Sequence, residues 1–386
     1  MKKIVFFGTP AYGHMISAAP AIKRLTESGI NVIWGTAKKY RSIVERAGAV
    51  FEEYKIDFDN LKLEDVTSDF FELFKNLVEI NQQLYLLYKD YDFGDAFILY
   101  DSMLSFAKNI ARKRNIKSIC FVTTLAYNFF VFITTNLFTS SISLYLKNIR
   151  KINKILKQEK LFRKSEKLSA FNMLDLFVNS GDRTIVFTPK EIQPMVRTFN
   201  KNFYFVGTTI KDRQQFSKTD FYKPCDYYIS LGSIFTENQK VLENIINFNE
   251  LQNKTLVITT GNVNIDNNGS NINLVDFTNQ QKMLENCKYF INHGGLNSIY
   301  ESIYYGVPQI CFPMQQEQRL NSLIVQKKRL GLYMKTLDNK YLIKIKNKTY
   351  TKNLEKLSAV FRKYDASQQV LNILNNYFFQ VKILKI

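Results

Sequence analysis

Short apolar runs alternate with amphipathic segments along this chain, and that alternation most constrains its fold. Candidate strands such as Ile4–Phe7, Asn31–Gly35 and Lys117–Val122 are separated by candidate helices, several of which end at glycines. Such a pattern predicts a parallel, doubly wound sheet, because the crossover helices cover both of its faces. The same rhythm restarts at Tyr227–Leu231 and continues to Gln309–Phe312. The sequence therefore predicts an α/β protein with two Rossmann-like domains that face each other across a cleft.

The boundary between the two predicted domains falls in a polar stretch near the middle of the chain. We expect an N-terminal domain over 1–210, a linker over 211–224 and a second domain over 225–365. Residues 366–386 contain the apolar run Val370–Phe379, which predicts a helical tail that could pack back on the N-terminal domain. A chain of 386 residues is long enough for each domain to have its own core.

Composition indicates a soluble globular protein and leaves the meaning of its net charge open. Hydrophobic residues make up 46% and charged residues 23% of the chain. The net charge of +19 suits a nucleic acid or an anionic membrane, and it equally suits the Lys-, Asn- and Ile-rich usage of an AT-rich genome. The scattered cysteines form no CxxC pair, which predicts free thiols in a reducing cytoplasm: Cys120, Cys225, Cys287 and Cys311.

Two segments raise the question of a membrane. The stretch from Ser118 to Leu146 has no charged residue, but it is rich in Ser, Thr and Asn, which a lipid-exposed span disfavours. We interpret Ile116–Val122 as a buried strand and the rest as a helical stretch that lines an apolar pocket. The segment Lys147–Lys167 has nine Lys or Arg, with isoleucines at helical spacing, and predicts a basic amphipathic helix. Such a helix either lies on an anionic membrane or forms a solvated face.

The chain has two histidines, and each follows an apolar run in a glycine-flanked loop. His14 follows Ile4–Phe7, and His293 follows Tyr289–Ile291. Ligands in parallel α/β sheets bind at the carboxyl ends of strands, and histidine suits acid–base chemistry near neutral pH. We therefore expect both histidines to be functional.

The segment around the second histidine predicts a nucleotide site. Its glycine pair would let the backbone approach a phosphate, and the polar pair that follows opens a helix whose N terminus attracts negative charge. One turn later on the same face, a carboxylate could accept two ribose hydroxyls. A Glu-Gln pair comes after the next strand, in a loop that would face the same ligand. These residues are Gly294, Gly295, Asn297, Ser298, Glu301, Glu317 and Gln318.

These motifs resemble the family 1 nucleotide-sugar glycosyltransferases, most closely the bacterial macrolide-type enzymes of GT-B fold. The resemblance extends over most of the chain, through Gly13-His14, Ile98–Ser102, Val206-Gly207, Tyr228–Thr236 and the stretch from His293 to Gln318. The sequence departs from the family at two places. Phe277-Thr-Asn-Gln280 stands where the family has Trp-x-Pro-Gln, and Met15-Ile16 follows the first histidine where the family has Asn-Pro.

The resemblance implies an inverting, metal-independent O-glycosyltransferase that moves a sugar from a UDP-sugar, with UDP-glucose expected, to a bulky hydrophobic small molecule. His14 would be the general base, and Asp101 would orient it. His293 would contact the diphosphate and add positive potential, Glu301 would hold the ribose, and the Glu-Gln pair would bind the sugar hydroxyls. The implied donor-binding set is Gly232, Ser233, Phe277, Gln280, His293, Gly294, Gly295, Asn297, Ser298, Glu301, Glu317 and Gln318.

No cofactor, metal or nucleic-acid partner is implied. The pair Asp57 and Asp59 could hold a divalent ion, but it lies far in sequence from the phosphate motif. We expect the apolar segments Phe70–Tyr91 and Leu125–Leu146 to form the acceptor pocket, and we expect a cytoplasmic protein. Two alternatives remain: a glycolipid glycosyltransferase that contacts an anionic membrane through 147–167, and a nucleotide-sugar-binding protein without activity.

Overall fold

The computed structural model describes residues 2–58, 70–135, 137–170, 180–217, 219–232, 238–248, 251, 253–261 and 271–378. The chain forms two compact units. The first comprises Met1–Thr209 and Asp365–Ile386, and the second comprises Ile210–Tyr364. The stretch 211–224, predicted from sequence to be a linker, therefore belongs to the second unit.

The first unit is built on a parallel sheet flanked by helices. Its strands are β1 (Lys3–Phe7), β2 (Asn31–Thr36), β3 (Val50–Glu53), β4 (Phe97–Asp101), β5 (Ser118–Val122), β6 (Arg183–Val186) and β7 (Phe203–Phe205). Its helices are α1 (Tyr12–Glu27), α2 (Arg41–Arg46), α3 (Phe70–Tyr88), α4 (Ser105–Lys113), α5 (Phe129–Thr134) and α6 (Leu137–Ser165). The strand order is β3-β2-β1-β4-β5-β6-β7. Every residue of β5 is buried, as its uninterrupted apolar run predicts.

The second unit repeats this architecture. Its strands are β8 (Cys225–Ser230), β9 (Leu256–Thr259), β10 (Ile272–Val275), β11 (Cys287–Asn292), β12 (Gln309–Cys311) and β13 (Gly331–Tyr333), in the order β10-β9-β8-β11-β12-β13. Its helices are α7 (Asn238–Ile246), α8 (Gln280–Glu285), α9 (Leu296–Tyr305), α10 (Gln316–Lys327), α11 (Asn339–Lys344) and α12 (Lys348–Phe361). All strand pairs in both sheets are parallel, so the prediction of two Rossmann-like domains is confirmed.

The last described helix, α13 (Ala366–Phe378), belongs to the first unit. It packs on α1 and buries Val370 and Leu374 completely, because these residues lie one turn apart on the same face. The ring of Phe378 stacks on Phe97 of β4 with 4.4 Å between ring centroids. Arg24 on α1 donates hydrogen bonds to the side chain of Gln368. Helix α13 thus contacts both α1 and β4 of the first unit.

The strand order places a topological switch point in each sheet. In the first sheet β1 lies between β2 and β4, and in the second sheet β8 lies between β9 and β11. Ligands bind outside the carboxyl ends of strands at such points, because the connections diverge there and leave a crevice. His14 follows β1 and His293 follows β11, so both lie at the switch point of their own sheet. Within the described ranges, no helix combines the length and the apolar character needed to cross a bilayer.

Candidate functional site

In the first unit, polar side chains converge where three neighbouring strands end. Asp101 is the last residue of β4, Thr9 follows β1 and Thr123 directly follows β5. Because β1, β4 and β5 are parallel neighbours, their carboxyl ends meet at one edge of the sheet. His14 reaches this edge from the first turn of α1. The sequence pattern predicts that this helix begins at Ala18. In the structure it begins earlier, at Tyr12, and therefore includes His14.

The buried carboxylate of Asp101 is the hub of this cluster. Its Oδ2 lies 2.8 Å from Nδ1 of His14, and its Oδ1 accepts hydrogen bonds from Thr9 Oγ1 at 2.8 Å and from the Met103 backbone N–H at 3.0 Å. Thr123 Oγ1 lies 2.7 Å from His14 Nδ1 and donates to Asp101 Oδ2 at 3.2 Å. The Asp101 side chain is 2% exposed and that of His14 is 17% exposed. The imidazole therefore links a buried carboxylate to the surface of the unit.

These contacts set the protonation state of the pair. Burial by itself would raise the pKa of Asp101, but the nearby His14 and the hydrogen bonds from His14, Met103 and Thr9 outweigh it, and the pKa lies below its ordinary value. An ionised carboxylate accepts the proton on Nδ1, which leaves Nε2 as the basic nitrogen. That tautomer is the one a general base needs. Sequence reasoning missed Thr9 and Thr123, although Thr123 directly follows a predicted strand and Thr9 lies two residues after another.

In the second unit, the loop after β11 has a backbone that only glycine fits. Gly294 has φ +80°, and a Cβ there would lie 2.5 Å from Oγ of Ser322. The loop is held on both sides: the Gly294 N–H donates to Asn292 Oδ1 at 2.8 Å, and Asn321 Nδ2 donates to the Gly294 carbonyl at 3.2 Å. Gly295 then forms the N-cap of α9. The first turn of α9, which includes Asn297 and Ser298, therefore presents backbone N–H groups to an anion.

The imidazole of His293 packs against glycines from two loops. A Cβ on Gly295 would lie 2.5 Å from its Nε2, and a Cβ on Gly232 would lie 3.1 Å from its Cε1. Burial lowers the pKa of His293 to about 4, against an opposing effect of the Ser230 backbone. The ring is therefore neutral at neutral pH, so that any positive potential from it would come from a ring N–H and not from a full charge. Within the described part of the chain, its buried Nδ1 has no hydrogen-bond partner.

The carboxylate of Glu301 is held by side chains from two other segments. Gln280 Nε2 donates to its Oε2 at 2.6 Å and also approaches Ser298 Oγ at 3.3 Å. Arg213 Nη1 lies 3.4 Å from its Oε1. Glu301 is 7% exposed, and burial raises its pKa above the ordinary value while Arg213 and Gln280 act in the opposite direction. Sequence reasoning missed Arg213, because it lies in the polar stretch predicted to be a linker.

The remaining residues of the predicted donor set are placed in different ways. Phe277 is 38% exposed, as a ring that stacks on a base must be. Glu317 and Gln318 lie in the first turn of α10, which begins at Gln316, and not in a loop. Glu317 is exposed, but Gln318 is buried and its Oε1 accepts the backbone N–H groups of Met314 and Gln315 as part of a capping box. Ser233, like Asp59 of the discounted metal pair, lies outside the described residues.

Asn279 explains one departure from the family pattern. It stands where the family has proline, and its Oδ1 accepts the N–H of Lys282 at 3.1 Å as the N-cap of α8. Its own backbone N–H donates to the Phe221 carbonyl at 2.9 Å, a bond that proline cannot make. The substitution therefore keeps the start of α8, and with it the position of Gln280, by a different hydrogen-bond arrangement.

Comparison with known proteins gives concordant results. Residues 197–368 match the family described as UDP-glucoronosyl and UDP-glucosyl transferase. NDP-glycosyltransferase YjiC of Bacillus subtilis is 28% identical over 353 residues, which cover 86% of this chain and 85% of that protein. YjiC of Bacillus licheniformis is 27% identical over 356 residues, which cover 87% and 86%.

Solved structures match over nearly the whole chain. The glycotransferase of kitacinnamycin superposes with a TM-score of 0.83 at 20% identity and covers 97% of this chain and 98% of that one. CalG4, the calicheamicin glycosyltransferase, superposes with a TM-score of 0.78 at 16% identity and covers 99% and 100%. At such identities the likeness shows the fold, which is GT-B.

The family match and the relatives support a transferase that uses a nucleotide sugar. The family match over residues 197–368, the two Bacillus relatives and the GT-B fold together support a family 1 nucleotide-sugar glycosyltransferase. The resemblance found in the sequence is therefore confirmed at the level of family and fold. The roles of individual residues and the identity of donor and acceptor stay predictions.

Proposed function

We propose that the protein catalyses inverting O-glycosyl transfer from a UDP-sugar, UDP-glucose in the first instance, to a hydroxyl of a bulky hydrophobic small molecule. The observation that most supports a catalytic role is the contact of 2.8 Å between His14 and the buried carboxylate of Asp101. A buried, ionised aspartate beside a more exposed imidazole is the arrangement of an oriented general base. A protein that only bound nucleotide sugars would have no use for it.

The proposed reaction is a single displacement. Nε2 of His14 takes the proton of the acceptor hydroxyl while its oxygen attacks the anomeric carbon of the sugar. The bond between that carbon and the diphosphate oxygen breaks on the opposite face, and its electron pair leaves with UDP. Asp101 stabilises the imidazolium as it forms. N–H groups at the start of α9 face the growing negative charge on the diphosphate.

This function is tested by incubating the purified protein with UDP-glucose and a library of hydrophobic alcohols and phenols, followed by mass spectrometry of the products. We expect adducts one hexose heavier, formed equally in excess chelator. Chelation should have no effect because backbone N–H groups, which cannot be removed, oppose the diphosphate charge. Release of UDP without any adduct, or turnover that depends on added magnesium or manganese, would contradict the proposal.

Nucleotide binding should depend separately on two residues of the second unit. Replacing Glu301 by alanine should weaken the binding of both uridine and UDP, since it removes a ribose contact. Replacing His293 by alanine should weaken the binding of UDP and leave the affinity for uridine nearly unchanged, since the imidazole would donate a hydrogen bond to the diphosphate. Each loss should be on the order of tenfold, as for a hydrogen bond to a charged partner. Calorimetry with both ligands checks this, and unchanged UDP affinity in both variants would place the donor site elsewhere.

Exposed apolar side chains of the first unit support a hydrophobic acceptor. Phe129, Phe130 and Ile133 on α5 are 66%, 52% and 45% exposed, although large apolar groups are normally buried. They lie in the segment that the sequence predicts to form the acceptor pocket. Two neighbours of similar fold are named for kitacinnamycin and calicheamicin. A related human protein, 34% identical over 105 residues, is a 2-hydroxyacylsphingosine 1-beta-galactosyltransferase.

One observation favours a second candidate, a glycosyltransferase that works on lipid at a membrane surface. Exposed cations lie along the outer face of α6, and one more follows its end: Arg150, Lys151, Lys154, Lys157, Lys160, Lys164 and Lys167. The acidic residues of this segment do not neutralise them. Glu159 is buried against Arg163 at 2.8 Å, and Glu166 pairs with Lys89 at 3.1 Å. Leu161, 60% exposed, lies among the cations.

Vesicle binding tests this candidate. Each Lys or Arg near an anionic leaflet contributes about 1 kcal/mol, so the protein should co-sediment with vesicles that contain phosphatidylserine and should dissociate at high salt. Replacing Lys154, Lys157, Lys160 and Lys164 by alanine should abolish binding. The matched control replaces four exposed lysines of the second unit: Lys344, Lys346, Lys348 and Lys352. Equal binding by both variants, or none by the wild type, would leave only the soluble-acceptor enzyme.

A further inference from the structure

Arg213 is a buried cation in direct contact with the nucleotide site. Its Nη1 donates to Asn297 Oδ1 at 3.0 Å and lies 3.4 Å from Oε1 of Glu301. The side chain is 3% exposed. A buried guanidinium is retained only where acceptors and an opposing charge compensate for the water it has lost. Two of those partners, Asn297 and Glu301, belong to the donor-binding set that the family resemblance implies.

The backbone around Arg213 is fixed on both sides. Short 3-10 turns at Ile210–Asp212 and Gln214–Phe216 flank it. Its N–H donates to the Ile210 carbonyl at 3.1 Å, and its carbonyl accepts from the Phe216 N–H at 2.8 Å. Gln281 on α8 donates from Nε2 to the Ile210 carbonyl at 3.1 Å. The guanidinium is thus anchored within the same unit as the residues that it contacts.

The hydrogen-bond capacity of Glu301 indicates what this anchoring achieves. An ionised carboxylate offers about four lone-pair positions. Arg213 on Oε1 and Gln280 on Oε2 occupy two of them. Two positions remain, which matches the two hydroxyls of a ribose. Protonation would turn one oxygen into a donor and remove this match.

We propose that Arg213 is a positioning residue for nucleotide binding, which holds the carboxylate of Glu301 in its ionised form and in a fixed orientation. The inference rests on the proposed assignment of Glu301 to the ribose of the donor. Arg213 itself need not touch the nucleotide. Its removal should therefore change how nucleotide affinity depends on pH, which loss of a merely structural contact would not do.

The groups around Glu301 make this pH dependence interpretable. Arg213 keeps its charge throughout. Burial raises the pKa of Tyr228 on β8 to about 12, and burial also raises the pKa of Tyr305, on the same helix as Glu301. The pKa of His293 is lowered to about 4. These neighbours keep their protonation state between about pH 5.5 and 8.5, so a pH dependence that appears only when Arg213 is removed is attributable to Glu301.

The experiment compares UDP dissociation constants of the wild type and Arg213→Met by calorimetry over that pH range. Taking the ratio of the two constants cancels the titration of UDP itself. Without the guanidinium the pKa of Glu301 rises further, so the carboxyl protonates at a higher pH and affinity is lost as the pH falls. We expect UDP to bind about tenfold more weakly to the variant at neutral pH. The dissociation constant of the variant divided by that of the wild type should increase further as the pH falls toward 5.5.

Two control variants separate this effect from general damage. In a Glu301→Gln background, Arg213→Met should leave the ratio independent of pH, because an amide has no proton to gain. Arg163→Met removes another buried Arg–Glu pair, in the first unit, where the atoms lie 2.8 Å apart. We expect that variant to lose stability and to bind UDP like the wild type at every pH.

The outcomes distinguish this inference from the proposed function. A ratio that stays constant with pH, or equals one, overturns the positioning role even if transfer activity is found. Failure of the wild type to bind either UDP or dTDP overturns the nucleotide-site assignment and this inference with it. If Arg213→Met does not fold, Arg213→Lys replaces it. A ratio of dissociation constants that increases as the pH falls, but less steeply, supports the proposal, and a ratio that stays constant with pH contradicts it.

Discussion

Replacing His14 by alanine is expected to lower the rate of sugar transfer by on the order of 10²–10⁴-fold, the usual contribution of a positioned general base. The loss should appear in kcat at saturating donor and acceptor. Alanine removes the imidazole and leaves Asp101 with its hydrogen bonds from Thr9 and Met103, so the carboxylate stays partnered. The first unit should therefore fold normally, and the thermal midpoint should change little.

The same variant should bind UDP with wild-type affinity, because His14 lies in the first unit and the nucleotide residues lie in the second. Calorimetry with UDP provides this control. Added imidazole should restore part of the rate, since a small base can enter the space that the side chain has left. Comparable transfer by wild type and variant at saturating substrates would show that another group takes the proton.

The sequence predicted the fold well because the strands are short, apolar and separated by glycine-ended helices. The strand pattern alone leads to two parallel sheets, and the switch points follow once the order of strands is known. The sequence predicted less near the end of the second unit, where β13, α11 and α12 were missed. β13 has three residues, Gly331–Tyr333, which is too short for an alternating pattern to be recognised.

The starts of two helices were also predicted wrongly, and both helices contain residues of the predicted sites. Gly13 and the nearby Pro10 suggest a loop, yet α1 begins at Tyr12 and places His14 in its first turn. The loop after β12 was predicted to hold Gln318 facing the ligand. Instead, Gln315 and Gln318 form a capping box that uses the side chain to start α10. Capping by a Gln pair is hard to recognise, because Ser, Thr, Asp and Asn are the usual N-caps.

Partners within each site could not be predicted, since they come from segments distant in sequence. Thr123 contacts His14 across 109 positions, and Arg213 contacts Glu301 across 88. Only the tertiary fold brings such residues together. The motif residues themselves were recognisable because close backbone approach requires glycine, as at Gly294, where any Cβ would overlap Ser322.

Replacing Asp101 by asparagine is expected to lower kcat by on the order of 10³–10⁴-fold while the protein stays folded. The hydrogen bonds explain why a nearly isosteric change should be so severe. Thr9 and the Met103 N–H both donate to Oδ1, so the amide oxygen of asparagine must take that position. The amide NH₂ then replaces Oδ2 and points at Nδ1 of His14, where it can only donate. The ring is thereby held with its proton on Nε2, which can no longer accept a proton from the acceptor, and no negative charge remains to stabilise the imidazolium.

Steady-state kinetics with saturating UDP-glucose measure this loss, and UDP affinity should stay unchanged. Asp338→Asn is the matched control. It makes the same chemical change at the N-cap of α11 in the second unit, where asparagine caps as well as aspartate and the rate should not alter. If Asp101→Asn keeps the wild-type rate across neutral pH, the carboxylate only supports the fold, and the tautomer of His14 must be set by Thr123, whose hydroxyl lies 2.7 Å from Nδ1.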